Sequence, residues 1–474
     1  DGPQPGWADI GLWLLLSALG SAWLLAVTNH LTQNIAAVPM LWLLPLSLYL
    51  LTFVLCFEGR GLYRHGWFAA PLILLLAAMA WGINIRVKDL HIAWAVPLYA
   101  LGFFVCCMFC HGELSLRKPA PRHLTRFYLC LSLGGALGGL AVSALAPWAL
   151  NHYYELPIVL MLTALLMLWL LRHYLTANKA AWGVLVLALA STALTGLMGW
   201  VFYQRQSVDN VVMMRNFYGA SRVAEFTDQG RTTRALYNGA IVHGTQVLSG
   251  PGQGQPTTYY GQHSGVAVAL QQLRQAAPGP RRVGVIGLGV GTLAAWGQAG
   301  DDWRFYELNP HSQQIAEQQF SYLRDTPARH SVVLGDARLV LESELAAGQP
   351  GRYDLLVVDA FSSDSIPVHL ITREALALYR QHLAPGGIIA FHVSNLFLQL
   401  EPVVAGLARD AGLQAHHISS PAQGTETAAD WVLVTDPTRS PPWPQLASLS
   451  TPIPERPDLA VWTDGRNNLF KILR

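Results

Sequence analysis

The first part of this sequence holds almost no charge. Between Asp9 and Glu58 there is no Asp, Glu, Lys or Arg. A solvated globular unit needs a charged surface, so that stretch is not one. Charged residues make up 13% of the whole chain, against about 25% in an ordinary soluble domain. From about Arg205 onward the density is ordinary, so the chain has two unlike parts. Cysteine is scarce as well. All five, Cys56, Cys106, Cys107, Cys110 and Cys130, lie in apolar segments. The later part has none, so no disulfide frames it and cysteine says nothing of its compartment. Cys106-Cys107-Met-Phe-Cys110 invites a metal or redox reading, but small apolar packing residues in a helix account for it more simply. No HExxH occurs among the 16 histidines, and no metal is expected. A formal net charge of +2 gives no basis for nucleic-acid binding. There is no internal repeat and no signal peptide with a basic front; the start at Asp1 reads as that of a processed product or an excised piece.

Apolar runs fill the space that charge leaves. A membrane span takes about 20 apolar residues. Seven runs are counted, at about 10–29, 37–57, 67–85, 92–111, 127–147, 156–173 and 180–203. Trp7, Trp42, Trp67, Trp94, Tyr153, Tyr154, Trp200 and Tyr203 cluster near run ends, as an interfacial belt does. Residues 1–205 are therefore expected to form a multi-pass α-helical membrane domain. In Gly134-Gly135-Ala-Leu-Gly138-Gly139, small residues recur at i and i+4. That predicts close helix packing ahead of a transport pathway. The few polar residues at membrane depth, Asn29, His30, Asn84, His111, Glu113, His152 and Glu155, fall near run ends. They read as solvated interfacial groups ahead of an intramembrane site.

From Asn210 the apolar period falls to two. Val211-Val-Met-Met, Ser221-Arg-Val-Ala-Glu-Phe, Arg234-Ala-Leu-Tyr and Ala240-Ile-Val-His read as short strands. Phe217-Tyr-Gly219, Asp228-Gln-Gly230 and Asn238-Gly239 read as the turns between them. Residues 206–256 are expected to form a small β domain ending in a Gly/Pro/Gln loop. A helix over about 260–276 follows. Strands are then expected at 283–287, 303–307, 331–334, 354–359, 387–393 and 430–435, with helices between. That alternation predicts a parallel, doubly wound sheet within one Rossmann-like domain, 257–474. Its Pro-rich tail, from Asp436, is expected to wrap the surface.

Ligands of such sheets bind outside the carboxyl ends of the strands. The first strand ends in Gly287-Leu-Gly289-Val-Gly291, and Glu307 ends the second, 20 residues after Gly287. Glycines let the backbone approach a ligand, and the spaced acid accepts from ribose hydroxyls. Gly335-Asp336-Ala337 ends the third strand and Asp359-Ala-Phe-Ser-Ser-Asp364 the fourth. Asp336 can accept from an adenine amine, and Ala337 leaves room for the ring. The order of these features points to an adenosine site. The bland alternatives are loop capping for Glu307 and Asp336, and a solvated turn acid for Asp364.

Residues 206–436 resemble the spermidine synthase, or polyamine aminopropyltransferase, family: a β domain followed by a methyltransferase-like Rossmann domain. The resemblance is carried by Tyr237-Asn-Gly, the Tyr259-Tyr260 pair, Gly287-Leu-Gly-Val-Gly, Glu307, Gly335-Asp336-Ala337 and Tyr353-Asp-Leu-Leu-Val-Val-Asp359. The whole chain is similar to bacterial fused transporter-like/spermidine synthase proteins, through Thr32-Gln-Asn-Ile-Ala-Ala-Val-Pro-Met-Leu-Trp, His111-Gly-Glu-Leu, Asp359-Ala-Phe-Ser-Ser-Asp-Ser-Ile-Pro-Val-His-Leu and Phe391-His-Val-Ser-Asn. The resemblance implies S-adenosylmethionine or its decarboxylated form as co-substrate. It implies Glu307 on ribose, Asp336 on adenine, and Asp359 as the base for the acceptor amine, with Tyr260 and Asp364 beside it. His243-Gly-Thr-Gln246 is placed at the donor end, with Gln246 as a binding residue, although a β-turn role is as good an account.

The chain also departs from that pattern. Asp364 stands five residues after Asp359, where the family's second acid stands three after. Tyr260 is followed by Gly261-Gln262-His263, with no acid. A diamine needs anions at both ends, so the acceptor is either a small amine or absent. Without one, the donor's own amine or carboxylate attacks its γ-carbon. A third possibility is an adenosyl-sensing transporter, and a fourth is methyl transfer. The expected setting is a bacterial inner membrane, with the lipid bilayer as partner and a homodimer possible. Orientation is divided: the basic residues of the even loops, such as Arg117, Lys118 and Arg122, put the later part outside. A cytosolic nucleoside substrate puts it in the cytoplasm.

Overall fold

A computed structural model of the chain describes residues 4–34, 39–58, 62–85, 92–174, 179–208, 210–228, 230–239, 241–360, 367–395, 398–439 and 443–474. It divides into two compact units, Asp1–Val208 with Arg215–Ala220, and Asp209–Met214 with Ser221–Arg474.

In the first unit each apolar run becomes a helix. In order these are α1 (Trp7–Asn34), α2 (Pro39–Phe57), α3 (His65–Gly82), α4 (Ile92–Leu116), α5 (Leu124–Leu140), α6 (Ala146–Ala149), α7 (Glu155–Tyr174) and α8 (Lys179–Ser207). A π-helical turn, Ala141–Leu145, joins α5 to α6. Among the described residues, five stretches are long and apolar enough to cross a membrane: Trp7–Thr32, His65–Gly82, Trp94–Leu116, Pro121–Ala149 and Trp182–Ser207. Among the described residues, Trp42–Phe57 and Glu155–Leu171 are shorter apolar helices. Leu50, Leu74, Leu129 and Leu187 are exposed, whereas Trp13, Trp23 and Phe103 are buried. An outer surface this apolar is consistent with a membrane protein.

The glycine face does what its spacing predicts. A Cβ on Gly134 would overlap the Leu14 carbonyl oxygen, and one on Gly138 would overlap Ala18. The backbones of α5 and α1 therefore touch, and the Ser17 hydroxyl donates to the Leu131 carbonyl at 2.6 Å. Hydrocarbon offers no hydrophobic gain between helices, so such close contact supplies the association.

The polar groups at membrane depth differ from expectation. His111, Glu113, His152 and Glu155 are buried rather than solvated. Glu113 is fully enclosed: the Tyr63 hydroxyl donates to it at 2.9 Å, His65 Nδ1 stands 2.6 Å away, and Arg117 pairs with it. His111 Nδ1 lies 2.9 Å from the Thr52 hydroxyl. An acid and its cation can be buried near a helix end when they satisfy one another.

After α8 the chain forms an antiparallel meander, β1 (Asn210–Asn216), β2 (Gly219–Asp228), β3 (Arg231–Asn238) and β4 (Ile241–Ser249), paired in chain order. The expected turn at Phe217-Tyr-Gly219 separates β1 from β2, whereas Gln229 and Ala240, in the next two loops, lie outside the described residues. The following elements are α9 (Gly265–Ala276), β5 (Arg282–Ile286), β6 (Asp302–Glu307), α10 (Pro310–Gln319), α11 (Tyr322–Asp325), β7 (Arg329–Leu334), α12 (Ala337–Ala346), β8 (Tyr353–Val358), α13 (Arg373–Gln381), β9 (Leu383–His392), α14 (Glu401–Asp410), β10 (Gln414–Ser420), β11 (Ala429–Thr435) and α15 (Pro444–Leu449). The large sheet has seven strands in the order β10-β11-β9-β8-β5-β6-β7. Periodicity missed β10, whose run Gln414-Ala-His-His-Ile-Ser-Ser is too polar to signal a strand. The wholly parallel sheet is also corrected: β11 runs antiparallel to both β9 and β10. The five strands from β9 to β7 are parallel.

Two further expectations change. The helix begins at Gly265, where the Ser264 side chain caps it, and Tyr260 stands earlier in a 3-10 turn, Thr258–Tyr260. The tail does not merely wrap. Trp462 and Ile472 are buried in the core formed by α13, α14 and β9, and the Trp462 carbonyl accepts from the Arg373 amide at 2.9 Å.

The helix contact yields a test. Gly138→Ala should destabilise the helical unit by about 1–3 kcal/mol, the scale of overpacking. Gly139→Ala, whose Cβ would meet nothing within 4 Å, should be neutral or mildly stabilising. Thermal unfolding of both variants in detergent measures the difference; equal melting temperatures would refute the contact.

Candidate active site

Sheet order creates the site. The chain runs β5, β6, β7 to one side and then crosses to β8 on the other, so the order reverses between β5 and β8. A ligand crevice opens at such a point. Gly287 follows β5 at φ 98°, and a Cβ there would overlap the Asp359 carbonyl oxygen. Only glycine lets the two loops pass this closely. Gly289 and Gly291 also have positive φ, at 55° and 78°. Val290 between them packs beneath Val223 of β2 and Leu236 of β3, which ties the meander to the glycine turn.

Asp359 is buried at the end of β8. The Tyr260 hydroxyl donates to its Oδ2, and His392 Nδ1 stands 2.8 Å from its Oδ1. His392 ends β9, and its Nε2 lies 2.9 Å from the Ser394 hydroxyl. The Tyr259 ring stacks on the imidazole at 4.3 Å and 18°. The 3-10 turn that presents both tyrosines is held from β11 and its preceding loop. Thr258, at φ 56°, exchanges backbone hydrogen bonds with Thr425 and Thr427, and Trp431 Nε1 donates to the Tyr259 carbonyl. A β-branched residue with positive φ is uncommon, and such conformations gather at functional sites. Burial, and then the nearby Asp359 charge, push the Tyr260 phenol well up, so it remains a donor. Burial pulls His243 down to about 4, leaving a neutral imidazole at neutral pH. Its Nε2 is buried without a hydrogen-bond partner among the described residues.

The remaining sequence-predicted residues fall as follows. Glu307, at the end of β6, accepts from the Leu288 amide at 3.1 Å and the Asn309 amide at 2.8 Å. It therefore braces the glycine turn whatever else it holds. Burial raises its carboxyl above the ordinary range, with those amides pulling the other way. Asp336 caps α12 through the Arg338 and Leu339 amides, and its other oxygen lies 3.0 Å from His369 Nε2. Ala337 is the first residue of that helix. A cavity of about 560 Å³ opens beside Asp336, lined also by Leu339, His369, Thr372 and Asp464, within the size range of small-molecule sites. The amide of Gln246 is committed to Ser321, donating to its hydroxyl and accepting from its backbone N–H. Asp364 lies outside the described residues.

Two functional candidates escaped sequence reasoning. His392 enters the sequence reading only within Phe391-His-Val-Ser-Asn, with no role assigned, and it closes an apolar strand, Ile388-Ile-Ala-Phe-His392. Glu426, from the loop between β10 and β11, supplies a carboxylate that the sequence after Tyr260 lacks. It accepts from the Gln262 amide at 2.9 Å, lies 3.2 Å from His263 Nδ1, and fills the space of a side chain at Gly261. Nothing within a short window around Tyr260 announces it.

Glu307→Ala should weaken adenosyl-ligand binding by about 1.5–3 kcal/mol, the scale of hydrogen bonds to a charged group. Asp336→Ala should act in the same direction by less. Protonating Glu307 removes its charge and turns one acceptor oxygen into a donor, and burial raises its carboxyl. Wild-type affinity should therefore fall as pH drops, starting above the range of a free glutamate. Calorimetry against pH checks both; flat affinity in the two variants would remove these acids from the site.

No family model matches the chain. It is 34% identical over 125 residues to the polyamine aminopropyltransferase of Vibrio vulnificus, covering 25% of this chain and 39% of that protein. It is 35% identical over 112 residues to the N-terminal histidine N-methyltransferase of Emericella nidulans, covering 23% of this chain and 19% of that one. The chain thus spans less than half the length of either relative. Among solved structures, a probable spermidine synthase from Corynebacterium glutamicum aligns with 46% of this chain and 77% of its own, at 18% identity and a TM-score of 0.37. The chain is thus similar over part of its length to a polyamine aminopropyltransferase and to a methyltransferase.

Proposed function

We propose that the second unit transfers an aminopropyl-type group from S-adenosylmethionine or its decarboxylated form to an amine, releasing methylthioadenosine. The observation that carries this reading is a buried carboxylate, Asp359, gripped by Tyr260 and His392 beside the Gly287 turn. An ammonium has no lone pair, so an acceptor must lose a proton before its nitrogen attacks the carbon next to S⁺. Each Asp359 oxygen accepts one hydrogen bond from a neighbouring side chain and keeps capacity for another, which suits it to receive that proton. The thioether leaves readily, so holding the two reactants in line supplies much of the remaining acceleration. Glu307 and Asp336, at the ends of β6 and β7, suit the ribose and adenine of the donor. Glu426 supports a cationic acceptor, because it places a second carboxylate next to the Tyr259-Tyr260 turn. In this reading the helical unit anchors the enzyme in a bacterial inner membrane, with the second unit reaching cytosolic donor.

Mass spectrometry of the purified chain with each donor, with and without polyamines, tests the reading. Methylthioadenosine should form only when an amine is present. Its release without amine would indicate internal attack on the donor. S-adenosylhomocysteine would indicate methyl transfer, and bound but unchanged donor would indicate a sensor. Asp359→Asn should retain donor binding and lower turnover by about 10²-fold or more, the usual scale for a lost base. Undiminished turnover would exclude Asp359 as the base.

A further inference from the structure

Exposed aromatic residues mark one end of the helical unit. Trp81 stands near the end of α3, Trp148 in α6, and Trp200 and Tyr203 near the end of α8, all of them exposed. These ends lie side by side. The Asn84 side chain, just past α3, donates to the Met198 carbonyl of α8 at 3.0 Å, and Arg205 donates to the Asn84 carbonyl at 2.6 Å. The stretch between α6 and α7 joins them. The His152 ring stacks on Phe202 at 6.2 Å and 10°, and the Tyr154 ring lies 5.7 Å from Tyr203. Aromatic rings gather in this way at the level of lipid headgroups.

The turn from β1 to β2, Arg215–Ala220, packs with the helical unit at this same end. Arg215 fastens it. Its Nη1 donates to the His152 carbonyl at 2.7 Å, its Nη2 pairs with Glu155, the first residue of α7, and its guanidinium lies 4.4 Å over the Tyr153 ring. Both partners of that ion pair are buried. Separating them would leave each charge without water or partner, so the pair fixes where the turn sits. The tip beyond Arg215 faces outward: Phe217 is 89% exposed and Tyr218 43%. Their rings meet edge to face at 5.7 Å and 81°, and the Asn216 side chain accepts from the Tyr218 amide at 3.0 Å, which shapes the turn. Turn tips that face water are built mainly from Gly, Asn, Asp and Ser. Here two aromatic side chains occupy the tip. No Asp or Glu stands between Asn210 and Ala224, so neither strand carries an acid beside the tip that would repel anionic phosphate.

We propose that Phe217 and Tyr218 form an interfacial anchor, a β-turn whose rings enter the lipid headgroup layer beside the ends of α3, α6 and α8. The proposal rests on the reading of the helical unit as a membrane anchor, and it adds a lipid contact made outside the helices. Tyr218 combines an apolar ring with a hydroxyl, which suits a boundary that is apolar on one side and wet on the other. Phe217 supplies apolar area alone. A protein partner fits the tip less well. Two aromatic side chains offer about 150–250 Å² each, whereas a stable protein interface takes about 800 Å² from each partner. A lipid surface sets no such threshold here, because Trp81, Trp148, Trp200 and Tyr203 line the same end. The tip continues a surface of like chemistry and does not have to bind alone.

The test is photo-crosslinking of the full chain in nanodiscs of phosphatidylethanolamine and phosphatidylglycerol. The photoreactive residue p-benzoylphenylalanine replaces Phe217 in one variant. In a second it replaces Leu187, exposed on α8, and in a third Phe226, exposed on β2 beyond the tip. Mass spectrometry of the intact chain after illumination counts the lipid adducts. Positions 217 and 187 should both form phospholipid adducts, and the yield at 217 should exceed that at 226 by about fivefold or more, as expected of a side chain held at headgroup depth. Adducts at 187 with none at 217 overturn the proposal, and so do equal yields at 217 and 226. A product of twice the chain's mass from position 217 assigns the tip to a second copy and also overturns it. Adducts at neither 187 nor 217 defeat the membrane-anchor reading itself, and the proposal with it. Phe217 is almost wholly exposed, so the larger ring has room. If that variant does not assemble into nanodiscs, Tyr218 carries the probe and the same outcomes decide.

Discussion

The candidate site depends on the close passage of two backbones at the point where the sheet reverses its strand order. Gly287 leaves β5 with a positive φ so that the Asp359 carbonyl can pass where a Cβ would stand. The Asp359 amide is in turn bonded to the Ile286 carbonyl at 2.9 Å, and the Gly287 amide to the Tyr306 carbonyl at the same distance. These three strand ends are locked to one another before any side chain acts. Glu307 then reaches back to the Leu288 amide and fixes the turn from the other side. Position at this site is therefore a property of the ladder, which is rigid, rather than of loops, which are not.

On that frame the buried charge is managed by hydrogen bonds. Desolvating a carboxylate costs several kcal/mol unless donors replace water. Tyr260 and His392 supply them, and each is itself fixed from behind. Tyr260 sits in a turn tied to Thr425, Thr427 and Trp431, and its carbonyl accepts from Trp296 Nε1 at 2.9 Å. His392 is stacked and bonded to Ser394. The neutral His243 completes the set, its Nε2 without a hydrogen-bond partner among the described residues. Two tyrosines, two histidines and an aspartate thus share one poorly solvated site, an arrangement suited to moving a proton.

The helical unit follows other rules. Its outer face is apolar, as in helices that could span a membrane, and its packing rests on small residues and on internal hydrogen bonds. Gly134 and Gly138 bring α5 onto α1, and Glu113 is buried among Tyr63, His65 and Arg117. Polar residues at helix ends read from sequence as solvated, because sequence gives depth along a helix but not the direction a side chain faces.

Much of this protein is legible along the chain. Uncharged runs, the change from period 3.6 to period two, the Gly287-Leu-Gly289-Val-Gly291 turn and the acids closing successive strands are local signals. They fixed the two-part organisation, the parallel strands and the placing of Gly287, Glu307, Asp336 and Asp359 at strand ends. The polar strand β10, the antiparallel β11, the burial of Trp462 and the true start of α9 were not legible, because tertiary pairing overrode weak local preference. The decisive contacts were hidden for the same reason. Tyr260 meets Asp359 across 99 residues, His392 meets it across 33, and Glu426 reaches Gln262 across 164. Sequence by itself determined which residues stand at the carboxyl ends of strands, because strand length and turn chemistry are local. Only the tertiary structure decided which of those ends are neighbours, because sheet order is set by the packing of helices on both faces, and that is a property of the whole unit.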